Sequence, residues 1–201
     1  MIRFVRNLFV TLFLAFICAA AITFYYSPDP LYTAQELVLF RRYAQFDDLI
    51  RETAETHGID PMLVKAVVWR ETRFRPDMVG RDGERGLMQV TEGAAEDWAG
   101  AEGIEGFRPT DLFDPKTNLE VGTWYLARAL ERWREKDNPI PFALAEYNAG
   151  RTRVNRWIED SNMGDKASAF DLRENVAFPT TRNYIETIEE RYKFYKKRDR
   201  M

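Results

Sequence analysis

The sequence has one cysteine and one histidine among its 201 residues. A lone cysteine excludes an internal disulfide, and together with a single histidine it cannot build the usual four-ligand structural zinc set. No strongly basic block interrupts the centre of the chain. The 29 Lys+Arg against 32 Asp+Glu leave a net charge of −3, so the electrostatic footprint of a nucleic-acid binder is missing. Also missing are convincing alternating runs of about four to eight residues and any repeat of about 20 to 50 residues, which argues against a sheet and against a solenoid. What is present is the composition of a packed globular protein of one domain, 45% hydrophobic and 14% aromatic, not of a disordered chain.

Charge is absent in one further place, between Arg6 and Asp29. Leu8 to Tyr26 is apolar, and at about 1.5 Å per helical residue it covers most of a bilayer core of about 30 Å. Arg3 and Arg6 precede it, so the positive-inside bias puts the N-terminus in the cytoplasm and the rest of the chain across the membrane. Ala19-Ala20-Ala21 offers a small-residue cleavage site of a signal peptide, whereas Tyr25 and Tyr26 suit the far interface of an uncleaved anchor. Phe16 and Ile17 are too large to precede a lipid-modified Cys18. Residues 1–26 are therefore a membrane anchor or signal segment, and the remainder carries 27 basic against 32 acidic residues, a net of −5.

Ser27-Pro28-Asp29-Pro30 is a stiff break, because each proline fixes its own φ and disfavours helix at the residue before it. Leu37, Phe40, Tyr43, Ala44 and Ile50 then recur at helical spacing up to Gly58, so residues 27–56 read as a juxtamembrane helical connector and 57–201 as the main domain. Asp60-Pro61 and Asp114-Pro115 are helix starts, with Asp as N-cap and Pro in the first turn. Leu119, Thr123, Leu126, Leu130 and Trp133 form a core-facing stripe after the second. An apolar stretch, Pro141 to Tyr147, runs into Asn148-Ala149-Gly150, where glycine can close a helix in a left-handed conformation. A last helix from about Thr181 ends in a Lys/Arg-rich tail suited to the negative end of the helix dipole. The fold expected is all-α.

Glu71 stands out on physical grounds. Val64, Val67 and Val68 lie seven, four and three residues before it, which puts its carboxyl on or beside the apolar stripe near a helix C-terminus. Burial there and the negative helix end raise the pKa of a carboxyl, and a carboxyl protonated near neutrality is what a general acid needs. The competing reading is a solvent-facing Glu71 paired with Arg70, Arg73 or Arg75.

Three segments in order decide between them: Glu71-Thr72-Arg73-Phe74-Arg75-Pro76, Gly86-Leu87-Met88-Gln89, and Ala145-Glu146-Tyr147-Asn148-Ala149-Gly150. The first and third fall at helix ends, and Gly-Leu-Met-Gln reads as a helix start. Together with Thr181-Arg182-Asn183-Tyr184, and over roughly Thr56 to Tyr195, the chain resembles the catalytic domain of soluble lytic transglycosylases, the goose-type-lysozyme-like enzymes that cut peptidoglycan glycan strands. The resemblance implies a compact lysozyme-like helical domain and makes Glu71 the single catalytic acid and base. It places Thr72, Met88, Gln89, Tyr147 and Asn148 at the saccharide groove and brings Tyr184 to the glutamate from the last helix. Amide and phenol groups bond sugar hydroxyls, while aromatic and thioether faces pack on sugar rings. Glu146 is a tempting second carboxylate, but the resemblance does not demand one, so it reads as structural or groove-lining.

The sequence departs from the family at several points. Thr72 stands for the usual Ser and keeps the hydroxyl, but Gly80 replaces a second Ser and Glu84 replaces a small residue. Glu92, Ala94 and Thr180 stand where the family often has Pro, Thr and Glu. By resemblance, the reaction is cleavage between N-acetylmuramic acid and N-acetylglucosamine without water, leaving a 1,6-anhydromuramyl end, with no metal or other cofactor. The alternatives are a muramidase-type hydrolase using Asp82, Glu84 or Glu146 to activate water, and an inactive membrane-tethered glycan-binding scaffold. The implied partners are glycan strands and the membrane, and the implied location is the bacterial cell envelope, with the catalytic domain on its extracytoplasmic side.

Overall fold

The computed structural model describes residues 2–26, 35 and 38–198 of the chain. It divides into two compact units, Met1–Ala44 and Gln45–Met201. The first contains helix α1, Ile2–Tyr26, of which Arg3–Ile22 is long and apolar enough to cross a membrane and has none of its surface buried by the protein. It also contains a five-residue helix, α2, Phe40–Ala44. The break expected at Pro28 to Pro30 lies outside the described residues.

The expected connector does not form one helix. Its last part, α3 (Asp47–Thr56), falls within the second unit, buries Ile50, Thr53 and Ala54, and packs on the following helix. The tie is polar as well as apolar. Lys65 Nζ donates to Asp47 at 2.8 Å with both side chains largely buried. Burial raises the Asp47 pKa, with the Lys65 charge opposing it.

Helix α4, Pro61–Thr72, starts as its sequence requires, with Asp60 accepting the Met62 N–H at 2.9 Å. Its body departs from the one-faced reading, since every residue from Met62 to Trp69 is buried, including Lys65. A helix buried all round is the axis of a domain. Each of Leu63, Val64, Val67 and Val68 contributes about 1.5–3 kcal/mol through burial. An Asp at Val67, which is 0% exposed, would put an unpaired charge into this core and unfold it.

After α4 come α5 (Glu92–Glu102), α6 (Pro115–Arg132), α7 (Pro139–Ala149), α8 (Arg151–Asp160), α9 (Ala169–Asn175) and α10 (Pro179–Arg198). Short 3₁₀ turns occur at Pro109–Phe113 and Gly164–Lys166. Asp114 caps α6 through the Thr117 N–H. Of the expected stripe, Leu119, Thr123, Leu126 and Trp133 are buried and Leu130 is half-buried. Gly150 has φ +85° as foreseen, but its ψ of 148° is extended, and it begins α8 instead of closing a left-handed cap. Helix α10 packs on both α4 and α7, and α6 packs on α7. The all-α reading holds: among the described residues there is no strand, only two isolated bridges, Val79 with Arg85 and Arg85 with Val90.

Those bridges overturn one local reading. Gly86-Leu87-Met88-Gln89 is not a helix start but a turn between Arg85 and Val90, whose backbones bond each other in both directions at 2.9 and 3.0 Å. Gly86 at φ +73° and Gln89 at φ +49° are incompatible with an α-helix. The helix begins later, at Glu92, with the Thr91 hydroxyl accepting the Ala94 N–H.

Candidate active site

Glu71 lies in the last turn of α4, where the chain leaves the helix through two consecutive left-handed residues, Arg73 (φ 53°) and Phe74 (φ 60°). Neither is glycine, so the turn costs on the order of 1–2 kcal/mol per residue. It is held by Phe74, 1% exposed, and by the Arg73 guanidinium 3.6 Å over the Trp69 ring. Tyr184 of α10 donates its phenol hydrogen to Glu71 Oε1 at 2.6 Å. Burial lifts the Glu71 pKa to about 7, while the Tyr184 bond and the Arg70 charge pull it down and the Glu84 charge pushes it up. Among the described residues Glu71 makes no ion pair. Arg70 lies over the Tyr184 ring at 5.4 Å, and Arg75 donates to the Thr72 carbonyl. The solvent-paired alternative for Glu71 is thereby removed.

Thr72 and Met88 are enclosed, at 1% and 0% exposure. The Thr72 hydroxyl donates to the Leu87 carbonyl at 2.9 Å and accepts the Arg75 N–H at 3.3 Å. Met88 packs its sulfur and Cβ into the space left by Gly122, where a Cβ would collide with them. Neither side chain reaches a groove. They hold the 86–89 turn against α4 and α6, and Tyr147 completes the hold by donating its phenol hydrogen to the Met88 carbonyl at 2.9 Å. Burial and the Glu71 charge push the Tyr147 phenol well above its ordinary range, and burial with the same charge does so for Tyr184. Both phenols therefore remain donors across the physiological range.

Gln89, Glu146 and Tyr147 do share a cavity, of about 300 Å³, with Tyr125, Gly150 and Arg151. Glu146 is tied down, receiving hydrogen bonds from Arg132 and from the Trp133 indole N–H at 2.8 Å. Asn148 is exposed and accepts the Thr181 hydroxyl at 2.8 Å, joining α7 to α10. Its amide nitrogen has no partner among the described residues and is available to a ligand. A larger hollow, about 850 Å³, is lined by His57, Asp60, Leu63, Ile140 and Tyr192 among others and shares no lining residue with this site.

Sequence reasoning missed Asn118. It is 0% exposed, accepts the Met88 N–H at 2.8 Å, and donates to the carbonyls of Arg85 and Leu112 at 2.7 and 2.9 Å. Its amide thus ties the Met88 N–H and the Arg85 carbonyl of the hairpin to the Leu112 carbonyl of the 109–113 turn, and without it the Met88 N–H would be left buried and unpaired. Only a polar residue set within the apolar α6 pattern hinted at it. Gly86 is required there, since a Cβ would overlap the Asn118 amide and the Leu112 carbonyl. Among the described residues no group of three His, Cys, Asp or Glu side chains converges as metal ligands.

The comparisons with known proteins agree with this arrangement. Residues 48–170 match the transglycosylase SLT domain family. The chain is 35% identical over 149 residues to the membrane-bound lytic murein transglycosylase F of Desulfosudis oleivorans, covering 72% of this chain and 31% of the relative. It is 29% identical over 144 residues to the soluble lytic murein transglycosylase of Escherichia coli K12, covering 71% and 22%. The 70-kDa soluble lytic transglycosylase in complex with bulgecin A aligns with a TM-score of 0.71 at 26% identity, over 80% of this chain and 25% of that one. The chain spans less than a third of the length of these relatives. The family match takes in more than half of the chain, and the all-α domain it covers carries Glu71 at the end of a buried helix: the chain belongs to the transglycosylase SLT domain family.

Proposed function

We propose that the chain is a peptidoglycan lytic transglycosylase that breaks the β-1,4 bond between N-acetylmuramic acid and N-acetylglucosamine. The observation that carries this reading is the state of Glu71, a buried carboxyl with a pKa of about 7 and a phenol bonded to one oxygen. Near neutral pH such a group is present both as acid and as base, and one reaction uses both forms in turn. Glu71 gives its proton to the bridging oxygen as the glycosidic bond breaks. The muramyl C6 hydroxyl then attacks the anomeric carbon, and Glu71 takes that hydroxyl's proton. A 1,6-anhydro end results, water is not consumed, and the second catalytic carboxylate of ordinary glycosidases is not required.

The ligand-facing groups are Gln89, Tyr147 and Asn148, with Thr72 and Met88 acting through the turn they hold. Glu146 serves the structure. Helix α1 is read as a membrane anchor, which puts the domain at the cell envelope facing the peptidoglycan. The reading is tested by digesting purified sacculi and weighing the released muropeptides. Anhydro products that disappear with Glu71→Gln support it, whereas products heavier by one water assign a hydrolase.

A further inference from the structure

Two departures from the family pattern, Gly80 and Glu84, meet in space. Residues 78–90 form a small hairpin in which the Gly80 N–H donates to the Glu84 carbonyl at 2.7 Å and the Gly86 N–H to the Met78 carbonyl at 2.9 Å. Glu84 folds back across it, and its Oε2 accepts the Asp82 N–H at 3.0 Å. A Cβ at residue 80 would overlap Glu84 Oε2 and stand 2.7 Å from Gln89 Oε1. Gly80 does not have a positive φ, so its backbone does not call for glycine. What a side chain there would have to displace is the Glu84 carboxylate together with the Gln89 amide oxygen.

That carboxylate has no cation. Arg85, next in sequence, turns to Glu92 at 3.5 Å, and among the described residues Glu84 forms no ion pair. Its carboxylate lies beside the side chain of Gln89, which lines the site cavity, and its charge adds to the rise in the Glu71 pKa. The groups around Glu71 are Tyr184 from α10, Tyr147 from α7, Arg70 on its own helix and Glu84 from the hairpin. Only Glu84 among them brings a second negative charge.

We propose that Glu84, seated where a side chain at residue 80 would lie, is a second carboxylate of the cleavage centre, facing the sugar ring that Glu71 cuts and stabilising the positive charge that develops there. This rests on the glycan-cleaving reading of Glu71. As the bond from the anomeric carbon to the bridging oxygen breaks, its electron pair goes to that oxygen with the Glu71 proton, and the ring becomes cationic. A carboxylate without a cation beside the ring lowers the energy of that charge. The C6 oxygen then bonds to the anomeric carbon and its proton returns to Glu71, so Glu84 is unchanged at the end. The same charge helps keep Glu71 protonated between turnovers.

The experiment uses the full chain in detergent micelles and Glu84→Gln, which retains an acceptor for the Asp82 N–H. Two quantities are measured: the pH profile of cleavage on purified sacculi, and the ionisation midpoint of Glu71 by ¹³C-carboxyl NMR. Expected are a fall in kcat of about tenfold or more with KM little changed, an alkaline limb displaced to lower pH, and a lower Glu71 midpoint, with thermal stability kept. Gly80→Ala should reproduce the kcat loss by displacing the carboxylate, and should add little to Glu84→Ala. A Glu84→Gln protein with kcat within twofold of the parent, or with a Glu71 midpoint that does not move, overturns the proposal. If the parent chain releases no product from sacculi, the glycan-cleaving reading fails by itself, and the NMR midpoint alone then decides whether Glu84 shares the site of Glu71.

Discussion

Helix α4 carries a carboxylate at each end, and α10 sends a tyrosine to both. At the N-terminal end Asp60 accepts Tyr192 at 2.8 Å, Lys196 at 2.9 Å and the Met62 N–H at 2.9 Å. Burial works against its ionisation, but the Lys196 ammonium, the Met62 N–H and the Tyr192 phenol outweigh it and hold the carboxyl below its usual range. At the C-terminal end Glu71 receives only the Tyr184 phenol, and burial prevails. The same two helices thus make one permanent anion and one exchangeable proton. The phenol is common to both ends, so it does not decide the outcome. The ammonium bonded to the carboxylate and the backbone donor do; Glu71 has neither bond, and the nearby Arg70 charge does not offset its burial.

The strongest test removes the proton carrier. Glu71→Gln should reduce release of muropeptides from sacculi by at least about 10³-fold. Its effect on stability should have the opposite sign. Because the folded protein holds a proton on Glu71 up to about pH 7 while the unfolded chain releases it near its ordinary value, stability falls as pH rises through that window and stays low above it. Denaturant unfolding should therefore find Glu71→Gln more stable than the parent at pH 8, by on the order of 2–3 kcal/mol, and no more stable at pH 4.

Tyr184→Phe sharpens the comparison by taking away the one donor that favours ionised Glu71. Its kcat should fall by about 10- to 100-fold, and the alkaline limb should move to higher pH because the proton is held more tightly. At the other end, Asp60→Ala should lower stability by about 1–2 kcal/mol through loss of the helix cap, with kcat unchanged in a sacculus assay. That contribution is present above the ordinary Asp range and lost as pH falls through the depressed folded value, the reverse of the Glu71 case. Lys196→Met should have the smallest effect, about 0.5 kcal/mol or less in a thermal melt, since the pair is substantially exposed.

What the sequence made legible were features carried by single residues or fixed spacings. Asp60-Pro61 and Asp114-Pro115 are such features because a cap acts on a neighbouring N–H, and both caps are formed. The position of Glu71 behind Val64, Val67 and Val68 is another, although α4 proved to be enclosed on every side. Thr72 and Met88 were read as groove residues from their place in motifs, and a motif does not say which way a side chain points. Gly-Leu-Met-Gln looked like a helix start because propensity alone does not reveal the positive φ of Gln89. Gly80 and Glu84 were visible as two separate oddities, and only their approach across the hairpin shows that one accommodates the other.

Helix α10 lies beyond residue 170, where the family match ends, yet it supplies the phenol that Glu71 needs. A chain made from its N-terminus contains Glu71 113 residues before it contains Tyr184. Until Pro179–Arg198 has docked on α4, Glu71 lacks that hydrogen bond. Glu71 and its hydrogen-bond donor are joined only by the docking of α10 on α4, so a chain nicked between them keeps the pair only while that docking holds.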